Sequence, residues 1–60
     1  MLELTLYKSA RKVLVNPDHI VGIFRDSENG EVYTSVDTIA RQYCVSEKPE
    51  YIKYLMEQKW

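Results

Sequence analysis

Hydrophobic and polar residues alternate along the first part of the chain with the two-residue period of β-strands. In residues 2–7, LELTLY, leucines occupy every second position and therefore share one face of an extended segment. Residues 12–15, KVLV, are apolar and β-branched, and residues 19–25, HIVGIFR, continue this character after a polar interruption. The pattern predicts three strands, of which the first two form a hairpin, with Gly22 as a candidate bulge in the third.

Two short polar segments between strands have the composition of tight turns. Asn16 and Pro17 are favoured at the first two positions of a type I turn, and Asp18 would occupy the third. Asn29 and Gly30 both tolerate positive φ, the backbone conformation that a two-residue hairpin turn requires. These residues are therefore predicted to specify the fold rather than to bind a ligand.

The middle of the chain contains one clear element and one ambiguous segment. Residues 31–36, EVYTSV, alternate again and predict a fourth strand that pairs with the third. In residues 37–47, DTIARQYCVSE, a strand would alternate through Ile39, Tyr43 and Val45, whereas helical spacing would also collect apolar residues on one face. The β-branched and aromatic residues favour a fifth strand, and a helix remains the alternative.

The C-terminal segment has the features of a short helix. Pro49 suits the first turn, where its missing N–H costs little, and Glu50 complements the positive end of the helix dipole. Ile52, Leu55 and Met56 recur at helical spacing and form an apolar stripe. A helix of about eleven residues is marginal alone, so this one must pack on the sheet.

These elements predict an α+β fold in a single domain of residues 1–60: a small twisted antiparallel sheet of four to five strands with one C-terminal helix packed on it. A chain of sixty residues is near the lower limit for a stable core, and its one cysteine cannot form an intrachain disulfide. Self-association is the remaining way to gain stability. The helix stripe would contact Leu4, Val13, Val15, Ile20, Ile23, Val32 and Val45.

The charge balance and hydropathy narrow the class of protein. The net charge is −1, whereas strong non-specific binding to nucleic acid needs clustered positive charge. No run of residues has the length of a membrane span, and the N-terminal segment lacks the basic and apolar regions of a signal peptide. We therefore expect a cytoplasmic protein that does not insert into membranes, and nucleic acid is a possible but not a favoured partner.

Candidate catalytic residues are few. Asp18 and His19 are neighbours on extended chain and point to opposite faces, so they converge poorly as an acid–base pair or as metal ligands. His19 is expected to be exposed or at the edge of the core, and Cys44 is expected to be a small buried hydrophobic residue. Because these two are the only soft ligands, a tetrahedral zinc site is excluded. We expect neither enzymatic activity nor a cofactor.

The surplus of aromatic residues is the feature of the sequence that indicates most about function. The chain contains five tyrosines and one tryptophan, more than so small a core can bury. Tyrosine and tryptophan are enriched at protein interfaces because they bury a large area at low entropic cost. The sequence therefore predicts a non-enzymatic protein-interaction module that binds a protein partner, itself, or both. The candidate interface residues are Tyr54, Trp60, Tyr7 and Tyr33.

The chain resembles the FlbD/swarming motility protein family of small bacterial proteins. The segments LELTLY, VLVNPDHIVGI and YCVSEKPEYIKYL match the family pattern in order and cover nearly the whole chain. The resemblance implies a role in a bacterial assembly connected with flagellar swarming, or an orphan bacterial or phage protein of unknown role, with no catalytic residues. The matching residues are Leu4, Thr5, Val15, Asn16, Pro17, Ile20, Ile23, Val45, Glu47, Glu50 and Ile52.

The helical alternative for the middle of the chain leads to a different function. Residues 38–57 then resemble a helix-turn-helix, with Ala40 at the packing position and Cys44 where glycine is usual. The second helix would carry both lysines and glutamates, and this mixture is poor for phosphate contact. A small DNA-binding transcriptional regulator is therefore the alternative function.

Overall fold

The computed structural model describes residues 1–58, in which five strands, one short 3₁₀ helix and one α-helix follow one another. The 3₁₀ helix spans Pro17–His19 and lies between the second and third strands. The strands and the α-helix are β1 (Leu2–Thr5), β2 (Lys12–Val15), β3 (Ile20–Glu28), β4 (Glu31–Thr38), β5 (Gln42–Val45) and α1 (Pro49–Gln58). The fold is α+β with a C-terminal helix, as the sequence predicts.

The strands form two antiparallel sheets, β1-β2 and β3-β4-β5, so the expected single sheet of four to five strands is not confirmed. One isolated bridge, between Leu6 and Val45, connects the two sheets. Beside it, the Tyr7 N–H donates to the Cys44 carbonyl at 2.8 Å. The chain turns immediately afterwards, with positive φ at Lys8 and Ala10, and therefore leaves β5 before a longer ladder can form.

The corner between β2 and β3 is closed by hydrogen bonds within the Asn16-Pro17-Asp18 segment. The Asn16 side-chain oxygen accepts the Asp18 N–H at 2.9 Å, and the Asn16 carbonyl accepts the His19 N–H at 2.9 Å. Pro17 is buried, and its fixed φ suits the start of the 3₁₀ helix. The corner directs β3 away from the first hairpin.

The β3–β4 hairpin is the longest continuous pairing in the fold. Asn29 and Gly30 form its turn with φ values of 52° and 84°, so both residues occupy the left-handed region. At the other end of the ladder the register shifts between Ile20 and Gly22, which makes Val21 the extra residue of a bulge directly before the predicted glycine. A Cβ on Gly22 would come within 2.7 Å of the Phe24 ring, because that ring lies over the glycine.

The core is formed by side chains from both sheets and from the helix. Val13, Ile20, Ile23, Leu55 and Met56 pack partly buried against it. Contacts between α1 and β3 place the helix over the sheet face that carries Ile23. The buried apolar residues are Leu2, Leu4, Val15, Val36, Val45 and Ile52.

Two burial expectations are wrong. Val32 is 64% exposed because it pairs with Ser27 close to the hairpin turn, beyond the buried part of the sheet. Val36, further along β4, is fully buried. Cys44 is exposed because it alternates with the buried Val45 and therefore lies on the opposite face of β5.

The ambiguous segment 37–47 contains a strand, and its helical alternative is wrong. β5 pairs with β4 from Thr34↔Val45 to Asp37↔Gln42. Within the described residues 38–58, helical structure begins at Pro49, where the Tyr51 and Ile52 N–H groups donate to the Lys48 carbonyl at 3.0 and 3.1 Å. The first helix of a helix-turn-helix is therefore missing from this segment.

Candidate functional site

Glu47 joins the first hairpin to the segment that precedes α1. Both carboxylate oxygens of Glu47 accept the Thr5 N–H at 2.9 Å. The Thr34 hydroxyl, on the buried face of β4, donates to the Glu47 carbonyl at 2.5 Å. The Ser46 N–H donates to the Thr5 carbonyl at 2.8 Å. One residue thus holds β1, β4 and the start of the helix together, which makes Glu47 a structural residue.

Tyr7 and Tyr33 stack on each other on the outer side of the three-stranded sheet. Their ring centroids are 4.7 Å apart with an interplanar angle of 22°. The Tyr7 hydroxyl donates to a Glu31 carboxylate oxygen at 2.5 Å, and the Tyr33 hydroxyl donates to Asp26 at 3.4 Å. These two predicted interface residues are partly buried and already bonded within the chain, so their rings are less available to a partner than the sequence suggests.

The environment of Tyr7 disfavours its phenolate. The hydrogen bond to Glu31, with smaller contributions from desolvation and from the Glu31 and Glu28 charges, raises the pKa of Tyr7 from 10.0 to about 12. The pKa of Tyr33 is also raised, chiefly by desolvation and then by the Asp26 charge. The stacked pair is therefore neutral at physiological pH and acts as a hydrogen-bond donor to the carboxylates around it.

Removing the Glu31 carboxylate should lower the pKa of Tyr7 toward its usual value. Folding favours the protonated phenol, so the stability that this group contributes is complete below about pH 10 and is lost as the pH rises to about 12. The difference between the ultraviolet titrations of the wild type and of Tyr7→Phe isolates the ionisation of the Tyr7 phenol. Glu31→Ala should shift this ionisation to lower pH. Glu3→Ala, an exposed carboxylate on β1, is the control and should leave the transition unchanged.

Opposite charges meet where the two hairpins approach each other. Lys8, in the turn of the first hairpin, lies 3.3 Å from Glu28 at the end of β3, and both side chains are more than half exposed. The Lys8 ammonium also lies 5.6 Å from the centre of the Tyr7 ring. An exposed pair of this kind contributes little to stability. The contact marks where the turn of the first hairpin meets the end of β3.

A groove of about 680 Å³ opens beside the start of α1. Its lining includes Val32, Arg25 and Glu50, and the two charged residues form an ion pair at 2.6 Å. The pKa of Glu50 is lowered, first by a backbone hydrogen bond and then by Arg25. Because the arginine is already paired, the groove presents no free cation from β3 to an anionic ligand.

The exposed large apolar side chains, which also include Met1, Leu14, Val32 and Ile39, form pairs on β3 and on α1. On β3, Val21 is 69% and Phe24 is 55% exposed. On α1, Tyr51 and Tyr54 are 50% and 54% exposed and, three residues apart, lie on one side of the helix. Tyr54 thus has the exposure that an interface residue requires. Phe24 is not among the interface residues that the sequence predicts, although its position two residues after a candidate bulge glycine is a signal of an unusual strand surface.

The remaining candidates for chemistry lie apart from one another. His19 is exposed at the end of the 3₁₀ helix, and Cys44 is exposed on β5. Trp60, the fourth predicted interface residue, lies outside the described residues. In the part of the chain that the structure describes, no three His, Cys, Asp or Glu side chains are grouped in a way that could hold a metal ion.

The comparisons with known proteins do not point to a function, so a functional proposal has to rest on the sequence and the structure. No protein-family model, no curated protein and no solved structure matches the chain. Among residues 1–58, no helix has the length and apolar character needed to cross a bilayer. The surfaces described above are therefore the basis for a functional proposal.

Proposed function

We propose that the protein is a non-enzymatic interaction module that associates with itself and thereby takes part in a larger protein assembly. The observation that carries this proposal is the exposure of Val21 and Phe24 on β3, which lies at the edge of its sheet. Edge strands with exposed apolar side chains are the usual templates for pairing with another chain. The resemblance to the FlbD/swarming motility family remains a prediction, and it would place the assembly in the bacterial flagellar system.

The small core supports self-association on energetic grounds. Its buried apolar residues number six among the described residues, whereas eight large hydrophobic residues are at least half exposed. Exposed apolar surface contributes nothing to stability until a partner removes it from water, at roughly 25 cal/mol per Å². A second copy that covers β3 would thus add to the stability that the monomer lacks.

Sedimentation equilibrium of the full chain between about 10 µM and about 1 mM tests the proposal, because this range spans the affinities of weak natural dimers. We expect the average mass to rise with concentration toward that of a dimer. A constant monomer mass throughout, together with the recovery of no partner in affinity capture, would contradict it.

A further inference from the structure

The free side of β3 is open over its regular part. β4 pairs with β3 on one side, and β3 lies at the end of its sheet. Among the described residues, no backbone hydrogen bond outside the β3–β4 ladder involves residues 21–28. The strand is nine residues long, whereas the other strands at a sheet edge, β1, β2 and β5, have four residues each. Among the edge strands, β3 therefore has the most backbone N–H and C=O groups available for pairing with another strand.

The hairpin turn determines which residues face outward. Glu28 and Glu31 close a two-residue turn, so they form a hydrogen-bonded pair, and such pairs alternate along an antiparallel ladder. Residues at even positions from Gly22 to Glu28 therefore bond to β4. Ile23, Arg25 and Ser27 direct their N–H and C=O groups to the free side. The Ser27 N–H accordingly donates to the Asp26 side chain at 2.8 Å.

We infer that two copies of the protein associate by antiparallel pairing of β3 with β3 about a two-fold axis at Phe24. This inference rests on the proposed self-association and names its surface. In this register the outward N–H and C=O groups of Ile23 bond to those of Arg25 in the second copy. By symmetry, Arg25 of the first copy bonds to Ile23 of the second, so the backbone groups of both residues are satisfied. Phe24 faces its own symmetry mate as a non-hydrogen-bonded pair, where side chains are closest and aromatic rings pack well.

Charge selects this register among the two-fold pairings of β3 and is compatible with a second copy as the partner. A two-fold axis at Arg25 would place two cations directly opposite each other, and an axis at Asp26 would do the same for two carboxylates. An axis at Ile23 would place Arg25 opposite Val21, at the bulge, where the regular ladder ends. With the axis at Phe24, Arg25 faces Ile23 and Asp26 faces Gly22, so no like charges oppose each other.

Disulfide trapping tests this register in the full chain. Phe24→Cys in a Cys44→Ser background places two thiols on the proposed axis, where the Cα atoms would be about 4.5 Å apart, within the range that a disulfide spans. Mild oxidation should convert most of the protein to a covalent dimer. Ile39→Cys in the same background is the control, because Ile39 is 70% exposed but lies outside β3, and it should stay largely monomeric.

A second variant measures the same contact without oxidation. Phe24→Lys would place two ammonium groups on the axis and should weaken association by about tenfold or more, whereas Ile39→Lys should not. Circular dichroism shows whether each variant is folded. If the wild type associates but Phe24→Cys is trapped no better than its control, the β3 pairing is wrong and self-association stands. A wild type that stays monomeric overturns both.

Discussion

Ile52→Ala is expected to cause the largest loss of stability of any single substitution considered, about 2–5 kcal/mol. Ile52 is fully buried and is the helix residue in the core cluster. Truncating a buried isoleucine to alanine costs about 2–5 kcal/mol, since transfer free energy is lost and a cavity remains. The whole chain has about 3–9 kcal/mol of stability at 0.05–0.15 kcal/mol per residue. One substitution can therefore remove most of it.

Urea denaturation followed by circular dichroism measures this effect. Lys53→Ala is the matched control, because Lys53 is the next residue on α1 and is exposed. Alanine is also the best helix former, so the control should keep or slightly raise the stability. If Ile52→Ala unfolded at the same urea concentration as Lys53→Ala, α1 would not pack into the core as described.

Glu47→Ala is expected to produce the second-largest loss, about 1–3 kcal/mol, by leaving a partly buried donor without a partner. The donor is the Thr5 N–H, which bonds to both oxygens of the Glu47 carboxylate. The contact spans 42 positions in sequence and links the first hairpin to the segment before α1. Its loss should therefore loosen the whole hairpin and not only the residues in contact.

Two further variants separate the hydrogen bond from the charge. Glu47→Gln keeps an acceptor oxygen and should recover part of the stability that Glu47→Ala loses. Glu57→Ala removes an exposed carboxylate from α1 and should change the free energy of unfolding by about 0.5 kcal/mol or less. Equal effects for Glu47→Ala and Glu57→Ala would show that the Thr5 contact does not stabilise the fold.

Local sequence signals were sufficient to predict β1 to β4, the turn between β3 and β4, and α1, whereas they left β5 open between strand and helix. Alternation predicts β1 to β4, the Asn29-Gly30 pair predicts the turn between β3 and β4, and Pro49 marks the start of α1. These signals act over a few residues, through backbone conformation and side-chain period, and need no knowledge of the rest of the chain.

Features that depend on distant contacts could not be predicted in this way. The division into two sheets depends on where the chain turns after Leu6, and that turn lacks glycine and proline. The exposure of Val32 depends on how far the helix extends over the hairpin, which alternation alone does not reveal. Composition favoured a buried Cys44, but the register of β5 places it on the exposed face.

The surroundings of the candidate site residues also depend on distant contacts that the sequence pattern does not reveal. Residue type alone makes Tyr7 and Tyr33 interface candidates, but their stacking brings together positions 26 residues apart and leaves both rings in contact within the chain. The sequence marks Glu47 only as a residue of the family pattern, whereas its carboxylate binds Thr5. Phe24 gains its importance from the position of β3 at the sheet edge, which is a property of the topology.

Hydrogen exchange of the β3 amides at increasing protein concentration tests the central claim most directly. The account predicts that the outward amides of Ile23 and Arg25 exchange rapidly in dilute protein and progressively more slowly as β3 pairs with a second copy. Exchange rates of the amides within α1 should change only as far as the free energy of global unfolding changes. Rates for Ile23 and Arg25 that stay fast and independent of concentration up to about 1 mM would contradict self-association through β3.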